Sequence, residues 1–197
     1  AAGGAGVAAE LDAADELGLG GGRGSGARIG RGLCVRGGQP ERGRVAVRLV
    51  TDSDSRTADS DVNGRWLAEA VAAAGHVVAD ARLVRDDPAA IDGAIDGALR
   101  SGSRIVVVNG GTGIGRRDNT ADVVLRRFDK VLPGFGELFR QLSFADVGSA
   151  AMLSRAAAGT IGGAVVFALP GSPEAVRLAW ERLIAPEIAH LVWELDR

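Results

Sequence analysis

The sequence predicts a three-layer α/β/α fold with a mostly parallel, doubly wound sheet, and three observations support this prediction. From Arg44 onwards, candidate strands and helices alternate along the chain, which is typical of βαβ units. The candidate strands are apolar runs without polar alternation, which indicates strands covered by helices on both faces. Right-handed crossovers would then place the loops that follow these strands along one edge of the sheet.

Four apolar runs are the candidate strands. They comprise residues 45–50, 76–84, 104–108 and 163–169. Each run is short and ends at a group of polar residues or glycines, as expected where a buried strand reaches the edge of its sheet. The four loops expected at that edge therefore follow Val50, Val84, Val108 and Leu169.

Helix signals lie between these strands. Apolar residues recur at helical spacing between positions 66 and 71, and Gly75 is expected to end that helix. Asp87 and Pro88 predict the N-cap and the first residue of a second helix.

The second half of the chain gives weaker helix signals. We expect helices over 120–128 and 150–158, and a loop with a short helix over 133–147. Two further helices are predicted after Pro173, the last one starting near Pro186.

Composition divides the 197 residues into an arm, residues 1–43, and a domain, residues 44–197. The arm is rich in glycine, alanine and arginine, and a short helix over 5–18 is a candidate; after about position 19 it lacks apolar periodicity and is expected to be flexible. Residues 23–48 hold seven arginines against one acid, which could contact anionic partners, although a solvated arm is the simpler interpretation. The domain has enough Val, Leu, Ile and Ala for a full core, since 46% of the chain is hydrophobic.

The bulk numbers exclude several classes of function. A net charge of −2 argues against nucleic acid as the main partner. No apolar run approaches the roughly 20 residues of a membrane-spanning helix, so no membrane partner is expected. Cys34 is the single cysteine, which is consistent with a reducing, cytoplasmic setting. His76 and His190 are too isolated in sequence to suggest a zinc site.

The loop after the third candidate strand is the most informative segment. Gly110, Gly111 and Gly113 surround Thr112, and Gly115 follows. Backbone N–H groups are accessible to a charged ligand where side chains are absent, which favours a binding loop over a simple tight turn. The spacing matches neither the lysine-containing phosphate loop nor the dinucleotide fingerprint.

The other strand-end loops carry candidate polar residues. Asp86 and Asp118 could hold Mg²⁺ or position reacting groups, and helix capping is an equal alternative for each. Ser172, before Pro173, predicts a helix N-cap that could also bind an anion. On the residues alone, Ser154 and Arg155 are a surface polar pair, and Glu137 has no distinguishing feature.

These residues together resemble the molybdopterin-binding family of MoaB/MogA type, from molybdenum cofactor biosynthesis, and are closer to the MoaB branch. The resemblance covers about residues 44–197. The segments that carry it are 51–57, 85–88, 110–118, 133–138, 151–156 and 169–173.

The resemblance implies a molybdopterin adenylyltransferase. Such an enzyme transfers AMP from ATP to the terminal phosphate of molybdopterin, requires Mg²⁺ and assembles as a homotrimer or hexamer. It implies that Asp86 and Asp118 are the catalytic and metal-binding carboxylates. The substrate-binding residues that it implies are Gly110, Gly111, Thr112, Gly113, Glu137, Ser154, Gly171 and Ser172, and the nucleotide-binding residues are Ser53 and Asp54.

The sequence departs from the family pattern at Asn63, Asn119 and Ala121, near the expected site. Two alternatives therefore stay open: a non-catalytic molybdopterin-binding carrier or scaffold, and, more remotely, a molybdate-inserting protein, for which the chain is too short.

Overall fold

A computed structural model describes residues 43–197, which form a six-stranded sheet between two layers of helices. The arm predicted for residues 1–43, with Cys34, lies outside the described residues except for Gly43, so the domain boundary stays a prediction. No helix within 43–197 has the length and apolarity needed to cross a membrane.

The strands are β1 (Ala46–Asp52), β2 (Val77–Val84), β3 (Ile105–Gly110), β4 (Lys130–Val131), β5 (Ala157–Ile161) and β6 (Ala164–Pro170). Their order in the sheet is β2-β1-β3-β6-β5-β4. Strands β2, β1, β3 and β6 are parallel, β5 pairs antiparallel with β6, and β4 pairs antiparallel with β5 at the edge of the sheet. The predicted α/β/α class with a mostly parallel sheet is confirmed.

The helices are α1 (Val62–Ala73), α2 (Pro88–Arg100), α3 (Thr120–Arg127), α4 (Pro133–Val147), α5 (Pro173–Ala179) and α6 (Ile188–Asp196). Short 3-10 segments lie at Ala58–Ser60 and Gly148–Leu153, and a π-helical turn, Trp180–Ile184, follows α5. The predicted caps are confirmed, because the Asp87 side chain accepts from the N–H groups of Ala89 and Ala90 and the Ser172 side chain accepts from that of Ala175.

The core has two parts, one on each face of the sheet. Residues of α1, α4, α5 and α6 pack on one face, and residues of α2 and α3 pack on the other. Consecutive residues of β3 alternate between them: Ile105 and Val107 belong to the first part, Val106 and Val108 to the second. This explains why the central strands are apolar at every position.

Two predictions in the second half of the chain are wrong. Residues 133–147 form one 15-residue helix, not a loop with a short helix. Residues 150–158 form the end of a 3-10 segment and the start of β5, not a helix. Small residues favour a helix locally, but pairing with β6 makes 157–161 a strand, which is a tertiary effect that propensity does not include.

Gly159 shows how closely this edge is packed. A methyl group added at Gly159 would lie 2.5 Å from carbons of the Phe128 ring and 2.6 Å from the Lys130 carbonyl oxygen. Replacement by alanine should therefore displace β4 or Phe128 and lower the free energy of unfolding by about 1–3 kcal/mol, measured by urea denaturation.

The matched control is Gly93→Ala on the exposed face of α2, where an added methyl group meets nothing within 4 Å. This variant should gain up to about 1 kcal/mol, because alanine stabilises a helix interior relative to glycine. Equal effects of the two variants would contradict the packing argument.

Candidate functional site

The loops that follow the parallel strands meet in one pocket of about 500 Å³. The direction of the strand order reverses between β1 and β3, and ligands of doubly wound sheets bind at such a switch point. The residues that line the pocket are 51–56, Asp86, 109–113, Arg117, Asp118, Pro170 and Gly171. The predicted convergence of all four loops is confirmed.

Asp86 and Asp118, far apart in sequence, both line this pocket, together with Asp54. Burial raises the pKa of Asp86, and the negative charges of Asp54 and Asp118 raise it further, while a hydrogen bond from Asn119 opposes them. Asp54 and Asp118 are therefore each close enough to Asp86 to repel its negative charge. A pocket with this concentrated negative charge favours a cation or a proton.

Asn119, one of the departures from the family pattern, has a defined contact. Its Nδ2 donates to Asp86 Oδ1 at 3.3 Å and to the Asp86 carbonyl oxygen at 3.4 Å. It makes no side-chain cap for α3, although it occupies the N-cap position. The residue therefore orients Asp86, which sequence reasoning did not anticipate.

The glycine loop leaves room for the Asp118 carboxylate. Methyl groups added at Gly113 or Gly115 would each lie 2.8 Å from Asp118 Oδ2, and one at Gly111 would lie 2.7 Å from Asp118 Cα. The Gly115 N–H donates to Asp118 Oδ2 at 2.6 Å. Asp118 thus accepts from the glycine loop, and the alternative that it caps α3 is not what the structure shows.

Asp52 is a site residue that the sequence interpretation did not select. It is the last residue of β1, is only 4% exposed and lines the pocket. Its Oδ2 accepts from Thr120 Oγ1 at 2.7 Å and from the Gly111 N–H at 3.2 Å. Burial raises the pKa of Asp52 to about 6, against an ordinary value of 3.8.

Arg155 is the second residue that was missed, because the sequence alone gave it no partner. Its Nε donates to the Gly113 carbonyl at 2.8 Å, and its Nη2 donates to the Asp118 carbonyl at 2.9 Å. Its backbone N–H donates to the Thr112 carbonyl at 3.0 Å, and its Nη1 pairs with Asp122. The side chain therefore holds the glycine loop from the side, and the interpretation as a surface polar pair is wrong.

The Gly171 carbonyl joins the loop after β6 to the rest of the pocket. It accepts from Asn63 Nδ2 at 2.9 Å and from Arg56 Nη2 at 3.1 Å. Asn63 also donates to Asn109 Oδ1 at 3.1 Å, so this second departure from the family pattern connects two segments of the pocket wall through α1.

The remaining predicted residues lie elsewhere. Ser53 lines the same pocket, whereas Ser154 and Ser172 line a neighbouring, more apolar pocket of about 390 Å³. Pro170 borders both pockets, and Phe139 and Leu178 line the second. Glu137 is exposed on α4 and lines neither pocket. The structure therefore places all the predicted site residues in the first pocket except Ser154, Ser172 and Glu137. Ser154 and Ser172 line the neighbouring pocket.

No three His, Cys, Asp or Glu side chains between residues 43 and 197 are arranged to hold a metal ion. A hard cation bound near Asp86 and Asp118 would therefore need further oxygens from a ligand. Mg²⁺ is commonly bound in this way, by one or two carboxylates together with phosphate oxygens and water. The donor set fits that ion.

The fold and the pocket define a doubly wound α/β/α protein with a ligand pocket at the switch point of its sheet. Residues 48–190 match the family described as probable molybdopterin binding domain. Molybdenum cofactor biosynthesis protein B of Bacillus cereus is 48% identical over 155 residues, which are 78% of this chain and 92% of that protein.

Solved structures of similar proteins point to the same family. A crystal structure of a molybdenum cofactor biosynthesis protein B has a TM-score of 0.77 and 45% identity, and the match covers 80% of this chain and 99% of that one. The tungsten cofactor synthesizing protein MoaB from Pyrococcus furiosus has a TM-score of 0.72 and 35% identity, over 78% and 98% of the two chains. This chain belongs to the MoaB/MogA family of molybdenum cofactor biosynthesis proteins.

The raised pKa of Asp52 predicts that the free energy of unfolding depends on pH. Because the pKa of Asp52 is raised in the folded protein, the group favours folding only while it is protonated. That contribution is complete below about pH 4 and is lost as the pH rises through about 6. Relative to Asp52→Asn, the free energy of unfolding of the natural protein should fall by up to about 3 kcal/mol over this interval.

Chemical denaturation of both proteins between pH 4 and 7.5 measures this difference. Asp86, whose pKa is also raised, is present in both proteins, so its contribution largely cancels in the comparison. Stability curves that stay parallel across this range would contradict the burial of an ionisable Asp52.

Proposed function

We propose that the chain is a Mg²⁺-dependent molybdopterin adenylyltransferase. In the proposed reaction an oxygen of the terminal phosphate of molybdopterin attacks the α-phosphorus of ATP. The bond between the α-phosphorus and the bridging oxygen to the β-phosphate breaks, and pyrophosphate leaves with the electron pair. The observation that carries this proposal is that Asp86 and Asp118 line one pocket with the glycine loop.

The carboxylates have a clear role in such a reaction. Asp86 and Asp118 would hold Mg²⁺, which offsets the charge that develops on the phosphate oxygens. The repulsion among Asp54, Asp86 and Asp118 that raises the pKa of Asp86 would be relieved by a bound cation. No side-chain nucleophile is needed, because the substrate phosphate attacks and the chain only positions and stabilises.

The rest of the pocket suits a polyphosphate. The glycine loop exposes backbone to the ligand at Gly110, Gly111 and Gly113, and Arg56 and Arg117 add positive charge. Ser53 and Asp54 lie on the β1 side of the pocket and would border the nucleotide.

The neighbouring pocket suits the pterin. It combines the apolar surfaces of Phe139 and Leu178 with the hydroxyls of Ser154 and Ser172. Such a lining, apolar with a few polar groups, is typical of sites for flat heterocyclic ligands. Because both pockets include Pro170, a pterin in one could present its phosphate to a nucleotide in the other. Glu137 is exposed on α4 and lines neither of these two pockets, so its substrate-binding role rests on the family resemblance alone.

We also propose that the protein works in the cytoplasm as a homotrimer or as a hexamer built from trimers. An exposed apolar surface supports self-association: it comprises Leu138, Phe144, Val147, Met152 and Leu153, on α4 and the 3-10 segment that packs against it. Met152 is 77% exposed and Phe144 is 61% exposed in the isolated chain. Large apolar side chains exposed on two segments that pack together favour an interface.

Asp118→Asn and Asp86→Asn should each lower adenylyl transfer by about 100-fold or more, because each removes a charge that would hold the cation at the reacting phosphates. The measurement is formation of adenylylated molybdopterin from ATP and molybdopterin, with and without Mg²⁺. Asp92→Asn, an exposed aspartate on α2 outside the pocket, is the matched control and should keep full turnover.

Full turnover by Asp118→Asn would show that its assigned role is wrong. Tight binding of molybdopterin without consumption of ATP by the natural protein would instead indicate the non-catalytic carrier or scaffold.

Phe144→Asp should dissociate the assembly, since it places a charge in the centre of the apolar surface. Analytical ultracentrifugation measures the result, and Leu125→Asp is the control, because Leu125 is 40% exposed on α3 in the opposite helix layer. A natural protein that sediments as a monomer would overturn the proposed assembly.

A further inference from the structure

Asp52 is the pocket residue that the proposed reaction leaves without a role. The carboxylate is buried at the end of β1, and both of its hydrogen bonds end on the same oxygen, Oδ2. Oδ1 is buried and has no hydrogen-bond partner within the described residues. Oδ2 thus accepts both hydrogen bonds of the Asp52 carboxylate.

These contacts join two parts of the site. Gly111 belongs to the glycine loop, and Thr120 is the first residue of α3, two positions after Asp118. The Gly110 backbone lies directly against the same carboxylate, because a methyl group added there would lie 2.0 Å from Asp52 Oδ2. Asp52 therefore fixes where the loop begins relative to β1 and where the chain resumes after Asp118.

Stability does not explain this residue. A carboxyl group removed from water is costly, and here only two neutral donors offset that cost. An apolar side chain at the end of β1 would avoid this desolvation cost. The benefit of Asp52 must then lie in the geometry that it imposes on the loop.

We propose that Asp52 is a positioning residue of the glycine loop. Its Oδ2 holds Gly111 and Thr120 in one arrangement, so that the loop amides and the Asp118 carboxylate meet the ligand in a fixed relation. The kinetic consequence of this inference rests on the proposed adenylyl transfer, whereas its structural consequence does not.

Two pairs of variants distinguish the loss of these hydrogen bonds from a general loss of stability. Asp52→Ala and Thr120→Val remove an acceptor and a donor, whereas Asp52→Asn and Thr120→Ser keep an oxygen acceptor and a hydroxyl donor at the same places. Ile95→Val, in the core between α2 and the sheet, is the control for loss of stability without contact to the pocket.

Two readouts are needed. Hydrogen exchange of the amides in residues 110–118 reports the loop without reference to activity, and kcat at saturating substrates reports the reaction. Asp52→Ala and Thr120→Val should raise exchange in this segment at least about tenfold and lower kcat roughly 10- to 100-fold. Asp52→Asn and Thr120→Ser should retain most of both properties, and the Asp52→Ala, Thr120→Val double variant should be no worse than the worse single variant.

Unchanged exchange in the loop of Asp52→Ala, or the same loss of kcat in Asp52→Asn as in Asp52→Ala, would overturn the inference. If Asp52→Ala does not fold, the comparison of Thr120→Val with Thr120→Ser decides the question. If the natural protein transfers no AMP, the proposed function fails by itself, and the exchange measurement still decides whether Asp52 positions the loop.

Discussion

The close packing of two carboxylates against the glycine loop is the contact on which the rest of the site depends. Asp52 lies against Gly110, and Asp118 lies against Gly111, Gly113 and Gly115. Any side chain on these glycines would displace an aspartate, so the loop and the acids are compatible only as a set. The glycines thus have two functions, since they leave room for the carboxylates beside the loop and let the loop N–H groups of Gly111 and Gly115 donate to them.

The loop backbone is held by hydrogen bonds to two charged side chains, Asp118 and Arg155. The Asp118 carboxylate accepts from the Gly115 N–H, while Arg155 donates to the carbonyls of Gly113 and Asp118. A loop whose N–H groups donate and whose carbonyl groups accept hydrogen bonds loses much of its freedom before any ligand arrives. Preorganisation of this kind reduces the ordering cost of binding and keeps dipoles aimed at the position of the ligand.

Much of the fold could be predicted from the sequence, because the central strands and α1 to α3 are encoded locally. Apolar runs, the Asp87–Pro88 start of α2 and the Ser172 cap of α5 each depend on a few neighbouring residues. The edge strands β4 and β5 could not be predicted, since β4 has only two residues and β5 is rich in alanine and glycine. β5 takes its conformation from pairing with β6, and β4 from pairing with β5, which no local pattern reveals.

Some residues of the candidate site could likewise be predicted from the sequence, and others could not. Asp86, Asp118 and the glycine loop follow strands, so topology alone predicts that they meet. Asp52 escaped selection because it is the last residue of β1, where the apolar run had already ended at Val50, and its partner Thr120 is 68 residues away. Arg155 escaped because its acceptors are backbone carbonyls of another loop. A hydrogen bond between a side chain and a backbone group far away in sequence produces no recognisable spacing of residues.

Asn63 and Asn119, the departures from the family pattern, turn out to be built into this site and do not merely adjoin it. Asn119 bonds Asp86, and Asn63 bonds the Gly171 carbonyl and Asn109. Together with Asp52, which itself lines the pocket, they form a layer of polar residues, and all three contact pocket-lining residues of other segments. A change in this second layer of polar residues alters the orientation of the acids and loops without altering the acids themselves.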